Sequence, residues 1–164
     1  MKKNRLISAL MLFVICLLSF GISAVADLTK AEILAIAKAE VPSGCRMTEA
    51  DYDKENKEWE CEYLTRNKKK EYEIIVDAVS GRVKRKEMEN KCDKGAKCGC
   101  KSVSKKKVRA SVKKLFEDAV ITKVKKCKDD GYWIYRVWFH GDGYRANAEV
   151  NAATGKVIEW TKYF

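Results

Sequence analysis

The residues best suited to chemistry in this 164-residue chain are seven cysteines and a single histidine. Cysteine thiolates bind soft metals such as Cu(I), whereas an even number of cysteines in an oxidising compartment forms disulfides instead. Which chemistry applies therefore depends on the compartment. Cys16 lies in an apolar N-terminal stretch, and the other six are spread over the rest of the chain: Cys45, Cys61, Cys92, Cys98, Cys100 and Cys127.

The N-terminus has the pattern of an export signal. Three basic residues among the first five precede an apolar run, and Ala24-Val25-Ala26 supplies the small residues at which signal peptidase cuts. We predict that residues 1–26 are a signal peptide, that the protein is periplasmic or secreted, and that no transmembrane segment remains after cleavage. An uncleaved membrane anchor is the alternative, because residues 6–26 carry no charge.

The sequence pattern does not support a catalytic site. His140 lies beside a predicted hairpin turn with no serine or cysteine nucleophile identifiable near it, so a catalytic triad has little support. Glu58 and Glu60 alternate on an outward strand face, where solvated carboxylates are the simpler interpretation. We therefore predict that the protein is not an enzyme and that it has no catalytic residues, cofactor or bound metal.

One unit occurs twice in the chain, over residues 28–83 and 103–157. Leu28-Thr29-Lys30 aligns with Val103-Ser104-Lys105, and Trp59 aligns with Trp133. Residues 77–81 align with residues 151–155, and a gap of one residue keeps the register. A duplication of this length sets the architecture before any single motif is considered.

Each unit predicts one helix and three strands. Thr29 and Ser104 lie at N-cap positions, and Glu32 completes a capping box in the first unit. Aromatic and cysteine side chains alternate with glutamates over residues 58–63, which is typical of a half-buried strand. The fold class is therefore α+β: two tandem α-β-β-β repeats, each with its helix packed on one face of an antiparallel sheet.

Domain boundaries follow from the repeat. We predict a first repeat over residues 27–86, a cysteine-rich linker over residues 87–102 and a second repeat over residues 103–164. After signal cleavage the even cysteine count favours disulfides. Cys45 with Cys61 is the preferred pair, because both lie in the first repeat. The other four cysteines would cross-link the linker and fasten it to the second repeat.

A capped helix followed by strands and a turn of the form Asp-x-x-Ser/Thr-Gly-x-Val resembles the PepSY family of peptidase-propeptide modules. The motif reads YEIIVDAVSGRV over residues 72–83 and ANAEVNAATGKV over residues 146–157, where Asn151 replaces the usual aspartate. A tandem of such units also resembles β-lactamase inhibitory proteins. The resemblance implies an exported, non-catalytic module that binds another protein, with a peptidase as one candidate partner.

Charge gives a second hypothesis. The formal net charge is +11, and removal of the three basic residues of the signal leaves +8. An exported chain rarely meets nucleic acid, so we expect no nucleic-acid partner and consider an anionic envelope polymer or lipid head groups instead. Interspersed lysines and glutamates are also typical of an ordinary solvated surface.

Ile134, Arg136 and Trp138 are the predicted partner-binding residues. They alternate on the outward face of one strand, and a tryptophan beside an arginine is typical of an interface hot spot. The alternative is that this face packs against the other repeat or the linker. The leading hypothesis is thus a protein-binding module that inhibits or modulates a peptidase by steric occlusion. Binding of an anionic polymer, and metal binding through Cys92, Cys98 and Cys100, are the alternatives.

Overall fold

The structure, a computed structural model, describes residues 27–97 and 99–164. The predicted signal peptide and Cys98 lie outside the described residues. Within these ranges, neither helix is long and apolar enough to cross a bilayer. The elements are α1 Lys30–Ala39, β1 Arg46–Asp53, β2 Glu58–Leu64, β3 Lys70–Asp77, β4 Val83–Asn90, α2 Lys105–Leu115, β5 Val120–Asp129, β6 Tyr132–Gly141, β7 Tyr144–Asn151 and β8 Val157–Tyr163.

The strands form one antiparallel sheet in the order β1-β2-β3-β4-β8-β7-β6-β5. Each repeat contributes four neighbouring strands, and the last strands of the two repeats, β4 and β8, pair at the centre. We call this junction the seam. Its residue pairs run from Arg85 opposite Tyr163 to Glu89 opposite Glu159. The two repeats therefore share a single sheet.

The prediction of three strands per repeat is wrong, because each repeat begins its sheet with a further strand, β1 or β5. β1 reads RMTEADYD, and all but one of its residues are exposed. β1 and β5 are the two edges of the sheet, where polar and charged side chains protect against pairing with other chains. The last strand of the first repeat is also longer than predicted, because β4 includes residues 87–90 of the predicted linker.

The predicted helix starts are confirmed. Thr29 caps α1 and forms the capping box with Glu32. Ser104 caps α2 by accepting a hydrogen bond from the backbone amide of Lys107 at 3.3 Å. Each helix buries a short apolar stripe, which stabilises it more than intrinsic propensity does. The buried stripe residues are Ile33 and Ala37 in α1, and Val108 and Val112 in α2.

Both helices lie on the same face of the sheet. Tyr63, Tyr72, Met88 and Trp160 are successive partners across β2, β3, β4 and β8, so their side chains share a face. The Tyr63 hydroxyl donates to a carbonyl of α1 at 3.5 Å. Trp160 packs edge-on against Phe116, which follows α2, with ring centroids 5.4 Å apart. Within residues 27–97 and 99–164, the opposite face of the sheet carries no helix.

Both glycine turns form as predicted. Asp77 Oδ1 accepts two backbone amides at 2.7 and 3.2 Å, and Asn151 Oδ1 accepts the equivalent two at 2.9 and 3.1 Å. Gly81 and Gly155 end these turns with φ angles of 70° and 76°. Only glycine adopts this conformation without a steric penalty, which explains its place in the motif.

Asn151 departs from the aspartate of the motif for a structural reason. Its side-chain amide donates to Asp93 Oδ1 at 2.6 Å and so ties the linker to the second repeat. Asn151 is only 5% exposed, and an aspartate here would place two carboxylates in contact. Backbone hydrogen bonds in both directions between Ala96 and Trp133 attach the linker further.

Among the described cysteines, the preferred pair Cys45 and Cys61 is not bonded, and both are buried free thiols. Arg46, the neighbour of Cys45, lies opposite Leu64, which is three residues along β2 from Cys61. At about 3.3 Å per residue, the two cysteines are separated by roughly 10 Å or more. A disulfide joins Cα atoms within about 7 Å, so this pair cannot be bridged without moving the backbone.

Asn151→Asp is expected to destabilise the protein by about 2 kcal/mol near pH 7, because it replaces a buried hydrogen bond with like-charge repulsion. Part of the loss should be restored near pH 4, where one of the two carboxylates takes up a proton. Urea unfolding at both pH values measures the effect. Asp77→Asn, the reverse exchange in the other turn, is the control and should show little recovery at pH 4, because the pKa of Asp77 is lowered to about 2 and its carboxylate is still ionised there. If the free energies of unfolding of the two variants changed equally with pH, the result would argue against the contact between residue 151 and Asp93.

Iodoacetamide is expected to leave Cys45 and Cys61 unmodified in the folded protein and to modify both in denaturant without reductant. Burial raises the pKa of the Cys61 thiol, and both burial and the low thiolate population suppress its reaction. Peptide mass spectrometry gives the site of modification. Cys92, Cys100 and Cys127 are not bonded to one another either, which corrects the prediction of bridges among these three. The exposed Cys92 and Cys100 are the reference sites, and a disulfide through Cys98 stays a prediction that the same experiment tests. Protection of Cys45 and Cys61 in denaturant would show that they are bonded after all.

Candidate functional site

The sheet face away from the helices, which we call the open face, carries a continuous band of carboxylates. Glu62, Glu73 and Glu87 are successive partners across β2, β3 and β4. Glu89, Glu159 and Glu149 are successive partners across β4, β8 and β7. Glu71 lies opposite Glu89 and joins the two rows. The acidic band therefore consists of Glu62, Glu71, Glu73, Glu87, Glu89, Glu149 and Glu159.

The band is not fully neutralised by neighbouring cations. Arg85 contacts Glu73, Lys91 contacts Glu71, and Arg136 Nε lies 2.7 Å from Glu149 Oε1. In the described part of the chain, the other four carboxylates have no lysine or arginine nitrogen within 4 Å. The open face therefore keeps an excess of negative charge in a protein whose total charge is positive.

Glu159 lies where the carboxylates are most crowded. Glu149 and Glu89 flank it on the two neighbouring strands. Partial burial raises the pKa of Glu159 to about 7, and repulsion from Glu149, Glu87, Glu89 and Asp129 adds to this shift. The charge of the band therefore changes near neutral pH, where an ordinary glutamate is already ionised.

Ile134 does not belong to an exposed patch, which corrects the prediction. Its side chain is fully buried, because the linker crosses this part of the open face. The approach is close enough that a Cβ at Gly95 would lie 2.9 Å from Ile134 Cγ2. The alternative stated from the sequence, that the linker packs on this face, holds at this position.

Arg136 and Trp138 are accessible on the open face, although neighbouring groups contact both. Arg136 lies between Asp129 and Glu149, with nitrogen–oxygen distances of 3.0 and 2.7 Å. Trp138 is partly exposed, and Lys123 Nζ lies 5.1 Å from its ring centroid. These contacts fix both side chains in place, and a role for them in partner binding stays a prediction.

The remaining chemistry-bearing residues do not assemble into a site within residues 27–97 and 99–164. His140 is exposed near the end of β6. No group of three or more His, Cys, Asp or Glu side chains in these ranges is arranged to hold a metal ion. Since Cys98 lies outside the described residues, metal binding with Cys92 and Cys100 stays a hypothesis.

The acidic band is the feature that the sequence analysis missed. Alternation over residues 58–63 correctly indicates one outward acidic strand face. The extension of that face across β3, β4, β8 and β7 depends on the order and the register of the strands. The sequence of a single strand contains neither. Counting the outward carboxylates of every strand would have given the number of negative charges on this face, but not which carboxylates are neighbours.

Glu159→Gln is expected to raise the melting temperature near pH 8 and to have little effect near pH 4.5. The folded-state pKa of about 7 exceeds the reference value of 4.5. The folded protein therefore holds a proton that the unfolded chain releases, and stability is lost as pH rises between these values. Melting curves across this range measure the effect, with Glu60→Gln as the control on an exposed carboxylate of the same face. Parallel pH profiles for wild type and Glu159→Gln would contradict the crowding.

A comparison with solved structures aligns most of the chain with bacterial proteins at low identity and low TM-score. A candidate lipoprotein from Clostridium difficile 630 is 13% identical over 84% of this chain and 93% of its own, with a TM-score of 0.36. The YpeB C-terminal domain of Bacillus megaterium is 12% identical over 84% of this chain and 66% of its own, with a TM-score of 0.32. A DUF2874 family protein from Bacteroides uniformis is 11% identical over 81% of this chain and 88% of its own, with a TM-score of 0.29.

The sequence itself matches a family. Among curated proteins, none matches the chain. The family model described as "Peptidase propeptide and YPEB domain", PepSY, matches residues 27–87 and again residues 102–161. Each match contains the helix and the first three strands of one repeat and ends within its fourth strand. The chain therefore belongs to the PepSY family and carries two copies of its domain in tandem.

Proposed function

We propose that this protein is an exported, non-catalytic PepSY module that binds another exported protein through the open face of its sheet. Export rests on the predicted signal peptide over residues 1–26. A peptidase is the partner class that the family description favours, and the module would inhibit or modulate it by covering its surface. The observation that carries the proposal is an eight-stranded face that bears the acidic band and that no helix of the described residues covers.

The open face has the dimensions of a protein interface. Its strands are seven to ten residues long. Eight strands spaced about 4.8 Å apart and about 25–30 Å long give a surface roughly 34 Å wide. The resulting area of roughly 800–1,000 Å² is close to the area of about 800 Å² that each partner buries in a specific complex. The described linker residues lie over the part of this face around Ile134 and Asn151, and Asp93 and Lys94 reach the edge of the acidic band beside Glu149 and Glu159.

The charge of the open face indicates which kind of partner surface it would bind. The unpaired carboxylates of the band would attract a partner that presents lysines or arginines, and the same field would speed the encounter. Arg136 and Trp138 lie beside the band and offer an apolar and a cationic contact next to it. A basic partner surface with a recess for one aromatic ring matches this arrangement.

Binding of an anionic polymer or lipid head groups is the second candidate, and helix α2 favours it. Six basic side chains of α2 are exposed on the helix-bearing side, away from the acidic band: Lys105, Lys106, Lys107, Arg109, Lys113 and Lys114. Such binding would be largely electrostatic and would be lost at moderate salt. A packed protein interface through the open face would persist there and would weaken with Trp138→Ala.

Inhibition of proteolysis tests the proposal. The protein is expected to slow casein cleavage by the exported fraction of the cells that produce it. Glu62→Lys combined with Glu89→Lys should reduce the potency of inhibition about tenfold or more, because the reversed charges repel a basic partner. Both residues lie among carboxylates, so neither substitution removes a stabilising ion pair.

The matched control is Glu55→Lys combined with Glu117→Lys, which changes the net charge equally at exposed positions off the band. This control should inhibit like wild type. Equal loss in both double variants would mean that total charge, not the open face, governs the interaction. If neither inhibition nor a stable complex with a protein of that fraction is observed, the peptidase proposal is wrong.

A further inference from the structure

A groove of about 540 Å³ crosses the seam on the helix-bearing face, between the C-terminal ends of α1 and α2. Met88 and Trp160, which are partners across the seam, form its floor. Leu115 and Phe164 also line it, and they are 54% and 40% exposed. Large apolar side chains left this open beside a groove indicate a surface that gains stability when covered.

Two lysines face each other at one end of this groove. Lys86 on β4 lies directly opposite Lys162 on β8, on the same face as Met88 and Trp160. Like charges directly opposite across strands are destabilising. Burial lowers the pKa of Lys162, and Lys86 adds a smaller shift in the same direction, whereas Asp118 and Glu40 act in the opposite direction. The pair therefore has a charge that an anion bound between the two ammonium groups would neutralise.

The protein itself compensates this pair only in part. Glu40 Oε2 lies 3.5 Å from Lys86 Nζ. Within the described residues, no carboxylate oxygen lies within 4 Å of Lys162 Nζ. Lys162 instead lies over two aromatic rings, with its Nζ 3.8 Å from the Tyr144 centroid and 4.6 Å from the Phe164 centroid. An anionic head group could thus approach a positioned ammonium group.

The floor of the groove favours an acyl chain over a peptide. β4 and β8 are central strands that pair on both sides, so their backbone offers no free edge to an added strand. An acyl chain needs no hydrogen bonds and gains only from apolar contact. From Lys162 to Val157, which also lines the groove, β8 runs five residues, roughly 16 Å, or the length of about twelve carbons.

We propose that this groove binds a single-chain amphiphile with an anionic head, of which a long-chain carboxylate is the representative. The carboxylate lies between Lys86 and Lys162, and the chain lies along Met88 and Trp160 toward Val157. Leu115 and Phe164 cover it from the solvent side. The site is on the opposite face of the sheet from the acidic band, so it is independent of the function proposed for the open face.

Calorimetric titration with dodecanoate, below its micellar concentration, tests the proposal on the purified protein expressed from its full sequence. We expect saturable binding of one molecule per chain. Lys162→Gln should weaken binding about tenfold, because a charge-assisted contact is lost. Lys106→Gln removes the same charge from the exposed start of α2 and should leave the affinity unchanged. Equal affinities for all three proteins would overturn the proposal.

A second variant and two further ligands test the two ends of the amphiphile separately. Leu115→Ala removes an exposed side chain, so folding should be retained while dodecanoate affinity falls several-fold. Dodecyltrimethylammonium has the same chain with a cationic head and should not bind to the groove. Binding of both amphiphiles with equal affinity, or binding only above the micellar concentration, would contradict the proposal. Binding to phosphatidylglycerol vesicles without binding of monomeric dodecanoate would identify a membrane surface as the ligand instead and would overturn it.

Discussion

The structure depends on the antiparallel pairing of β4 with β8. Each repeat alone would be a four-stranded sheet whose last strand is an unpaired edge, and unpaired edges promote association with other chains. Pairing the two last strands removes both edges at once and leaves β1 and β5 as the ends of the sheet. The polar sequence of β1 then follows from its position, because an exposed edge must resist addition of another strand. The same pairing aligns the two helices on one face, and no helix of the described residues covers the other.

The seam also separates charge between the two faces. On the helix-bearing face it places Lys86 opposite Lys162, and on the open face it places Glu89 opposite Glu159. Neither pair is favourable by itself, since like charges opposed across strands repel each other. A sequence selected for stability alone would replace one member of each pair. Their presence at the junction of the repeats is consistent with surfaces that meet ligands of opposite charge, a basic partner on one face and an anionic head group on the other.

Features that depend on neighbouring residues could be predicted from the sequence, whereas features that depend on strand order could not. Thr29 and Ser104 indicate where the helices start, and Asp77 and Asn151 indicate the glycine turns. Each of these side chains accepts hydrogen bonds from backbone groups only a few residues away in the chain. The edge strand β1 could not be predicted, because its exposure on both faces removes the alternation by which a strand is recognised. The period-two alternation of β6 places Ile134 on the open face, in agreement with the structure. Its burial could not be predicted, because the segment that covers it is a linker without a regular sequence pattern. The acidic band could not be predicted from the sequence for a related reason, since its members come from five strands in two repeats.

The duplication gives a nearly symmetric scaffold with an asymmetric open face. At the positions where the first repeat carries Glu60 and Glu62, the second carries Ile134 and Arg136, and the linker covers only the second. A partner bound across the seam would therefore meet carboxylates toward β2 and an arginine with a tryptophan toward β6. Two equivalent orientations, which a symmetric face would permit, are no longer equal in free energy. The divergence of the two copies thus favours a single orientation of one partner per chain, and the repeated order of one helix and four strands serves to make one wide surface rather than two separate sites.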